Sequence, residues 1–213
     1  MNLMKYFRYV IYTIVTLTVF SASAGSYEDF FSAIRNDNAS TLANLFARGF
    51  DPNTRDPKGQ PGLTMAIQQQ SQKAEAALLE RPEIDVDALN QAGESALMMA
   101  ALKGNLPAVQ RLLARGAKVN QPGWSALHYA ATGPDPKIVQ LLLDRGAEID
   151  AASPNGSTPL MMAAQYGSEA SVELLLQRGA DLGKRNERHL GAVDFAKLSG
   201  RESLVKRLEQ ARR

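Results

Sequence analysis

The feature that most constrains this chain is a short pattern that returns at a near-constant interval. Ser95-Ala96-Leu97-Met98-Met99-Ala100-Ala101, Ser125-Ala126-Leu127-His128-Tyr129-Ala130-Ala131 and Thr158-Pro159-Leu160-Met161-Met162-Ala163-Ala164 are three copies of one motif. With the central leucine as anchor, Phe30, Leu63 and Val193 occupy the same slot, each followed three residues later by alanine (Ala33, Ala66, Ala196). The anchors 30, 63, 97, 127, 160 and 193 are separated by 33, 34, 30, 33 and 33 residues. A unit of that size cannot bury its own apolar face, so such a chain folds by stacking each copy on its neighbours.

The interior of each copy reads as two helices. Twelve residues after the anchor stand Leu42, Val109, Val139, Val172 and Val205, with Glu75 the exception. Leu45-Phe46, Leu78-Leu79, Leu112-Leu113, Leu142-Leu143 and Leu175-Leu176 follow at fifteen and sixteen. Spacing of i, i+3 and i+4 makes one apolar helical face. Gly49, Gly116, Gly146 and Gly179 come nineteen after the anchor, each preceded by arginine. A helix that ends in a left-handed residue favours glycine there, because glycine has no Cβ to clash. Ser95, Ser125 and Thr158 are expected N-caps, and Pro159 sits at the first helical position, where an N–H is dispensable.

These residues bring the chain to a family. It resembles the ankyrin repeat, with its Thr-Pro-Leu-His-x-Ala-Ala helix start and Leu-Leu-x-x-Gly-Ala helix end; Leu112 to Ala117, Leu142 to Ala147 and Leu175 to Ala180 match the latter closely. The resemblance runs from about Ser26 to the C-terminus. It implies an all-α solenoid of about six helix-turn-helix repeats (26–58, 59–91, 92–121, 122–153, 154–186 and 187–213), with β-hairpin loops along one edge. His128 fills the family's histidine slot, where the imidazole holds neighbouring hairpins by hydrogen bonds.

The departures from the pattern carry information. Residues 30–53 lack the Thr-Pro start and read as an N-terminal cap. The second copy begins Gly62-Leu63-Thr64-Met65 and has Pro82 where the others stop on glycine. The fourth copy is three residues short, which predicts a truncated hairpin before Ser125. In the last copy Lys206, Arg207, Glu209 and Arg212 crowd the outer helix, the polar outer face that a terminal repeat needs.

Ahead of the repeats, Lys5 and Arg8 precede an apolar run from Val10 to Phe20, and Ala22-Ser23-Ala24 follows as a small-x-small cleavage pattern. Residues 1–24 therefore read as a signal peptide of the Sec type, with the mature chain 25–213 in the periplasm. The other readings are a secreted protein and an uncleaved inner-membrane anchor. The run is shorter than the ~20 apolar residues of a spanning helix, which favours cleavage. The formal charge of +2 comes from that leader: beyond it, 22 Lys+Arg face 22 Asp+Glu. A neutral remainder has no electrostatic footprint for nucleic acid or an anionic membrane. Cysteine is absent, which rules out disulfides and thiolate zinc sites.

Residues suited to catalysis are few. His128 and His189 are the only histidines. Ser125 precedes His128 by three positions but reads as a helix cap and lacks the Gly-x-Ser-x-Gly elbow. No glycine-rich phosphate loop is present. We therefore expect no enzyme activity, no cofactor and no metal site. Met65, Met98, Met99, Met161 and Met162 recur at inner-helix positions, where thioethers fill gaps between stacked helices. The alternative is a methionine-based metal or redox protein.

Function is then expected on the surface of a monomer that binds one protein partner. In ankyrin proteins such contacts come from hairpin tips and the exposed side of the inner helices. Here the tips are Gln60, Glu94, Trp124 and Ser157, and the inner helices end in Gln68-Gln69, Leu102-Lys103 and Gln165-Tyr166. Trp124 and Tyr166 stand out because interface hot spots favour aromatics. Two placements fit Trp124: exposed on the tip, or folded back over the short hairpin. From 25 to 182 the chain has 13 basic and 18 acidic residues, and from 183 to 213 it has 9 and 4, so an acidic body could steer a basic partner. Similarity to exported bacterial ankyrin proteins implies two jobs, immunity against a delivered enzyme or support of a periplasmic enzyme such as a catalase.

Overall fold

The computed structural model describes residues 25–211; the proposed signal peptide lies outside them. The described residues form twelve helices in six antiparallel pairs: α1 (residues 25–35) with α2 (Ala39–Ala47), α3 (Gly62–Gln68) with α4 (Gln72–Leu79), α5 (Ala96–Leu102) with α6 (Leu106–Ala114), α7 (Ala126–Thr132) with α8 (Pro136–Asp144), α9 (Pro159–Tyr166) with α10 (Glu169–Gln177), and α11 (Ala192–Leu198) with α12 (Glu202–Ala211). Odd-numbered helices form the inner row, in which α5, α7, α9 and α11 stack in sequence, and even-numbered ones the outer row. None of them is long and apolar enough to cross a membrane.

The anchor residues Phe30, Leu63, Leu97, Leu127, Leu160 and Val193 are all buried, as are Leu42, Val109, Val139 and Val172 on the outer helices. Val205 departs from that register. In α12 the buried residues are Leu204 and Leu208, and Val205 is half-buried. The helix-ending glycines behave as expected: Gly49, Gly116, Gly146 and Gly179 have φ between +82° and +93°.

At the N-terminal end Phe30 replaces the anchor leucine and gathers Phe31, Phe46 and Phe50 around it with ring centroids 5.0–6.3 Å apart. That bulk explains the degenerate second start. A Cβ on Gly62 would lie 2.7 Å from the Phe30 ring, so the alanine of other copies does not fit. Pro61 is then the helix cap and has no N–H to give, which leaves the buried Thr64 hydroxyl without a partner.

The connecting hairpins are turns rather than strands. A backbone bond spans each, from Asp56 to Gln60 (3.0 Å), Asn90 to Glu94 (3.0 Å), Ser153 to Ser157 (2.9 Å) and Asn186 to Leu190 (3.0 Å). The arms are too short for a ladder, and a lone bridge, Arg55 with Pro61, is all the β-pairing among the described residues. In the short fourth hairpin the Gln121 side chain donates instead to the Trp124 carbonyl (3.3 Å). Adjacent loops are tied by side chains at nearly the same offset: Asn53 to Glu83 and Asp85, Asp87 to Lys118, Asn120 to Gly146 and Glu148, and Asp150 to Asp181.

Candidate protein-binding face

In the last four copies the residue after the anchor closes its own helix start. His128 Nδ1 accepts the Ser125 N–H (3.2 Å), Met98 and Met161 sulfurs accept the Ser95 and Thr158 N–H groups (3.4 Å each), and Asp194 accepts from Gly191 (2.9 Å). His128 also reaches the next repeat, where Nε2 lies 3.0 Å from the Ser157 carbonyl. An N–H can only donate and a carbonyl only accept, so the imidazole is the neutral Nε2–H tautomer. Burial pushes its pKa below the ordinary histidine value, against a weaker opposing pull from the Ser157 and Ala151 carbonyls. The hydrogen-bonding duty implied for His128 is thus seen atom by atom. Its contact with Ser125 (Oγ to Nδ1, 2.9 Å) is buried and belongs to the same cap.

One row further along, the side chains leave the core. Tyr129 and Met162 are half-buried, as is Met65, while Met99 is covered. All five methionines pack in or against the core, with Met98, Met99 and Met161 buried and Met65 and Met162 half-buried at the border of the inner-helix face. Tyr129 OH donates to Glu94 Oε1 (2.8 Å), and Asn90 donates to Oε2 (2.8 Å). Burial, then the Glu94 hydrogen bond and charge, raise the Tyr129 phenol well above its usual value.

Leu102, Trp124, His128, Tyr129, Thr132 and Met162 enclose a concavity of about 220 Å³ between α5, α7 and α9. Both alternatives for Trp124 are partly met. It is half-buried, its ring edge-on to His128 at 5.2 Å, and it still forms a wall of this open concavity. Leu102 and Trp124 are thus brought together, with Glu94 joined through Tyr129. Gln60 and Gln68 bond to each other (2.8 Å), and Gln68 reaches the Met99 sulfur (3.3 Å). Gln69 and Lys103 are exposed at helix C-termini, Gln165 is half-buried, and Tyr166 is 60% exposed, one turn beyond Met162 on the same side of α9. Ser157 is a correction. It is 1% exposed, with its carbonyl held by His128 and its hydroxyl by Asn186 (3.1 Å), so it offers a partner no free surface.

Tyr129, Thr132 and Met162 had no place in the sequence reading of this face. Their signal is the constant offset of two or five residues after the anchor, which puts them on the side opposite the buried alanines. Glu75 was the other anomaly, and its structural role is plain. It is buried in the slot where other copies have valine or leucine, and it accepts from Arg111 Nε (3.0 Å) and a terminal nitrogen (2.8 Å) of the next repeat.

The sequence pattern described as ankyrin repeats (3 copies) matches residues 30–122 and 98–186. The chain belongs to the ankyrin-repeat family. It is 28% identical over 165 residues to the human transient receptor potential cation channel subfamily A member 1; the match takes in 78% of this chain but 12% of the channel. Among solved structures, the fold is similar to a chain from the complex of a predatory endopeptidase from Bdellovibrio bacteriovorus with an immunity protein. There the TM-score is 0.74 at 25% identity, covering 85% of this chain and 96% of that one.

Proposed function

We propose that this chain is a non-enzymatic binding module that acts in the periplasm after loss of residues 1–24, where it holds one protein partner against its inner-helix face. The carrying observation is the apolar concavity of Leu102, Trp124, Tyr129 and Met162, flanked by the exposed Tyr166. An open aromatic hollow beside an exposed tyrosine has the composition of an interface core. The similarity to a chain of an endopeptidase–immunity complex favours immunity against a hydrolase over assistance to a resident enzyme. The leader-like residues 1–24 support the compartment.

The test is crosslinking in the native host, periplasmic extraction and identification of the captured protein, followed by an assay of that protein with purified chain added. We expect a hydrolase that the chain inhibits. Tyr166→Ala should weaken capture by about 2 kcal/mol with helical content unchanged. Recovery of the chain from the cytoplasm alone, or equal capture by Tyr166→Ala and Leu102→Ser, would overturn the reading.

A further inference from the structure

The concavity has one feature that shape alone does not explain. Its apolar wall passes, through the Tyr129 hydroxyl, to the carboxylate of Glu94. Both partners of that carboxylate, Tyr129 and Asn90, are neutral donors. Eight of the chain's 22 side-chain carboxylates have a cation in ion-pair range; among the described residues Glu94 is one of the fourteen that have none, and its bond from the Tyr129 hydroxyl sets it at the edge of the hollow. A carboxylate offers about four lone-pair sites, so two of them remain for an incoming donor.

We infer that this hollow receives an arginine side chain presented by the protein partner, with its alkyl stem along Leu102 and Met162 and its guanidinium between Trp124 and Glu94. The inference rests on the binding-module reading above. A leucine or phenylalanine anchor would fit the apolar wall, but it would cover Glu94 without neutralising it, and an uncompensated carboxylate is costly to desolvate. Arginine satisfies both parts of the site. Its stem is apolar, and its flat head can stack on an indole while bonding a carboxylate. Orientation follows from α5, which carries Glu94 just before its start and Lys103 at its far end, roughly 14 Å away. The cationic head is therefore drawn to the hairpin end and repelled from the other. The excess of acidic residues over 25–182 (18 against 13 basic) has the same sign as this local charge.

Trp124 is the chain's single tryptophan, so its fluorescence reports on the site directly. The purified full chain is titrated with the pentapeptide acetyl-Gly-Gly-Arg-Gly-Gly-amide and with versions carrying citrulline, leucine or phenylalanine at the centre. Citrulline keeps the shape and removes the charge. We expect saturable binding of the arginine peptide, with citrulline weaker by about tenfold or more. Glu94→Gln should bring arginine down to the citrulline level, with its circular dichroism unchanged because the amide oxygen still accepts from Tyr129 and only the Asn90 side-chain bond is lost. Equal binding of citrulline and arginine to the unaltered protein, tighter binding of leucine or phenylalanine, or no saturable arginine binding overturns the inference, and none of these depends on the variant folding. Partner capture that needs Tyr166 without any arginine binding sinks this inference alone. Arginine binding without partner capture supports it and sinks the immunity reading instead.

Discussion

At the scale of single residues, His128 shows how a binding-protein scaffold spends a titratable group on architecture. It caps its own helix through Nδ1 and braces the next hairpin through Nε2, and the first of these bonds, in which Nδ1 accepts, requires the neutral ring. Its pKa is lowered in the folded chain, chiefly by burial, from about 6.5 in the unfolded one. The unfolded state therefore takes up a proton that the folded state refuses as pH falls through about 6.5. The stability is fully present above that value and is lost on acidification, at up to about 1.4 kcal/mol per pH unit. Thermal melts from pH 7.5 to 5.5 should show this slope, and His128→Gln should flatten it. An unchanged slope in the variant would place the proton uptake elsewhere.

At the scale of elements, the close approach of helix pairs sets demands that local propensity does not. Gly167 ends α9 with extended backbone, so its conformation would suit any residue. Its constraint is spatial, since a Cβ there would stand 2.0 Å from the Ala131 carbonyl of the preceding repeat. Gly167→Ala should cost at least about 2 kcal/mol, because backbone atoms cannot step aside as a flexible side chain would. His189 is the converse case. Gly59, Gly93, Gly123 and Gly156 hold the left-handed position of their hairpins, and His189 holds it in the last with φ +58°. His189→Gly should raise stability by about 0.5–1 kcal/mol. Denaturant midpoints for the two variants measure both effects, and opposite signs are expected.

At the scale of the whole molecule, each end solves the same problem differently. The N-terminal repeat closes on an aromatic cluster around Phe30, whereas the C-terminal repeat closes on charge. Arg201 spans back to the carbonyls of Ala163, Ala164 and Gly167 (2.9–3.1 Å), and Arg207 bonds to Glu169 and Glu173 of α10. Stability in a stack of repeats is a sum of neighbour terms, so the weaker end opens first. Arg201→Ala should speed amide exchange in α11 and α12 while leaving α5 to α8 protected. Uniform acceleration along the chain would instead mean that the stack opens as one unit.

The period of about 33 residues and the offsets of leucine, alanine and glycine were enough to define the repeat and its helix pairs, because each copy meets the same packing problem and answers it with the same residues. Leu102, Trp124, Glu94 and Tyr166 were legible as surface candidates for the same reason: their offsets lie outside the buried set. What sequence could not supply is which repeats cooperate. The hollow draws Leu102 from the third copy, Trp124, Tyr129 and Thr132 from the fourth, and Met162 from the fifth. Their adjacency arises from the stacking of α5, α7 and α9, not from any spacing within one copy. Ser157 fell on the wrong side of that division, since its offset matched an exposed tip until the His128 of the preceding repeat was brought against it. Glu75 likewise looked like a broken core position until stacking placed Arg111 over its carboxylate. A repeat's sequence determines its own fold, and contacts between repeats decide which of its side chains remain free to meet a partner.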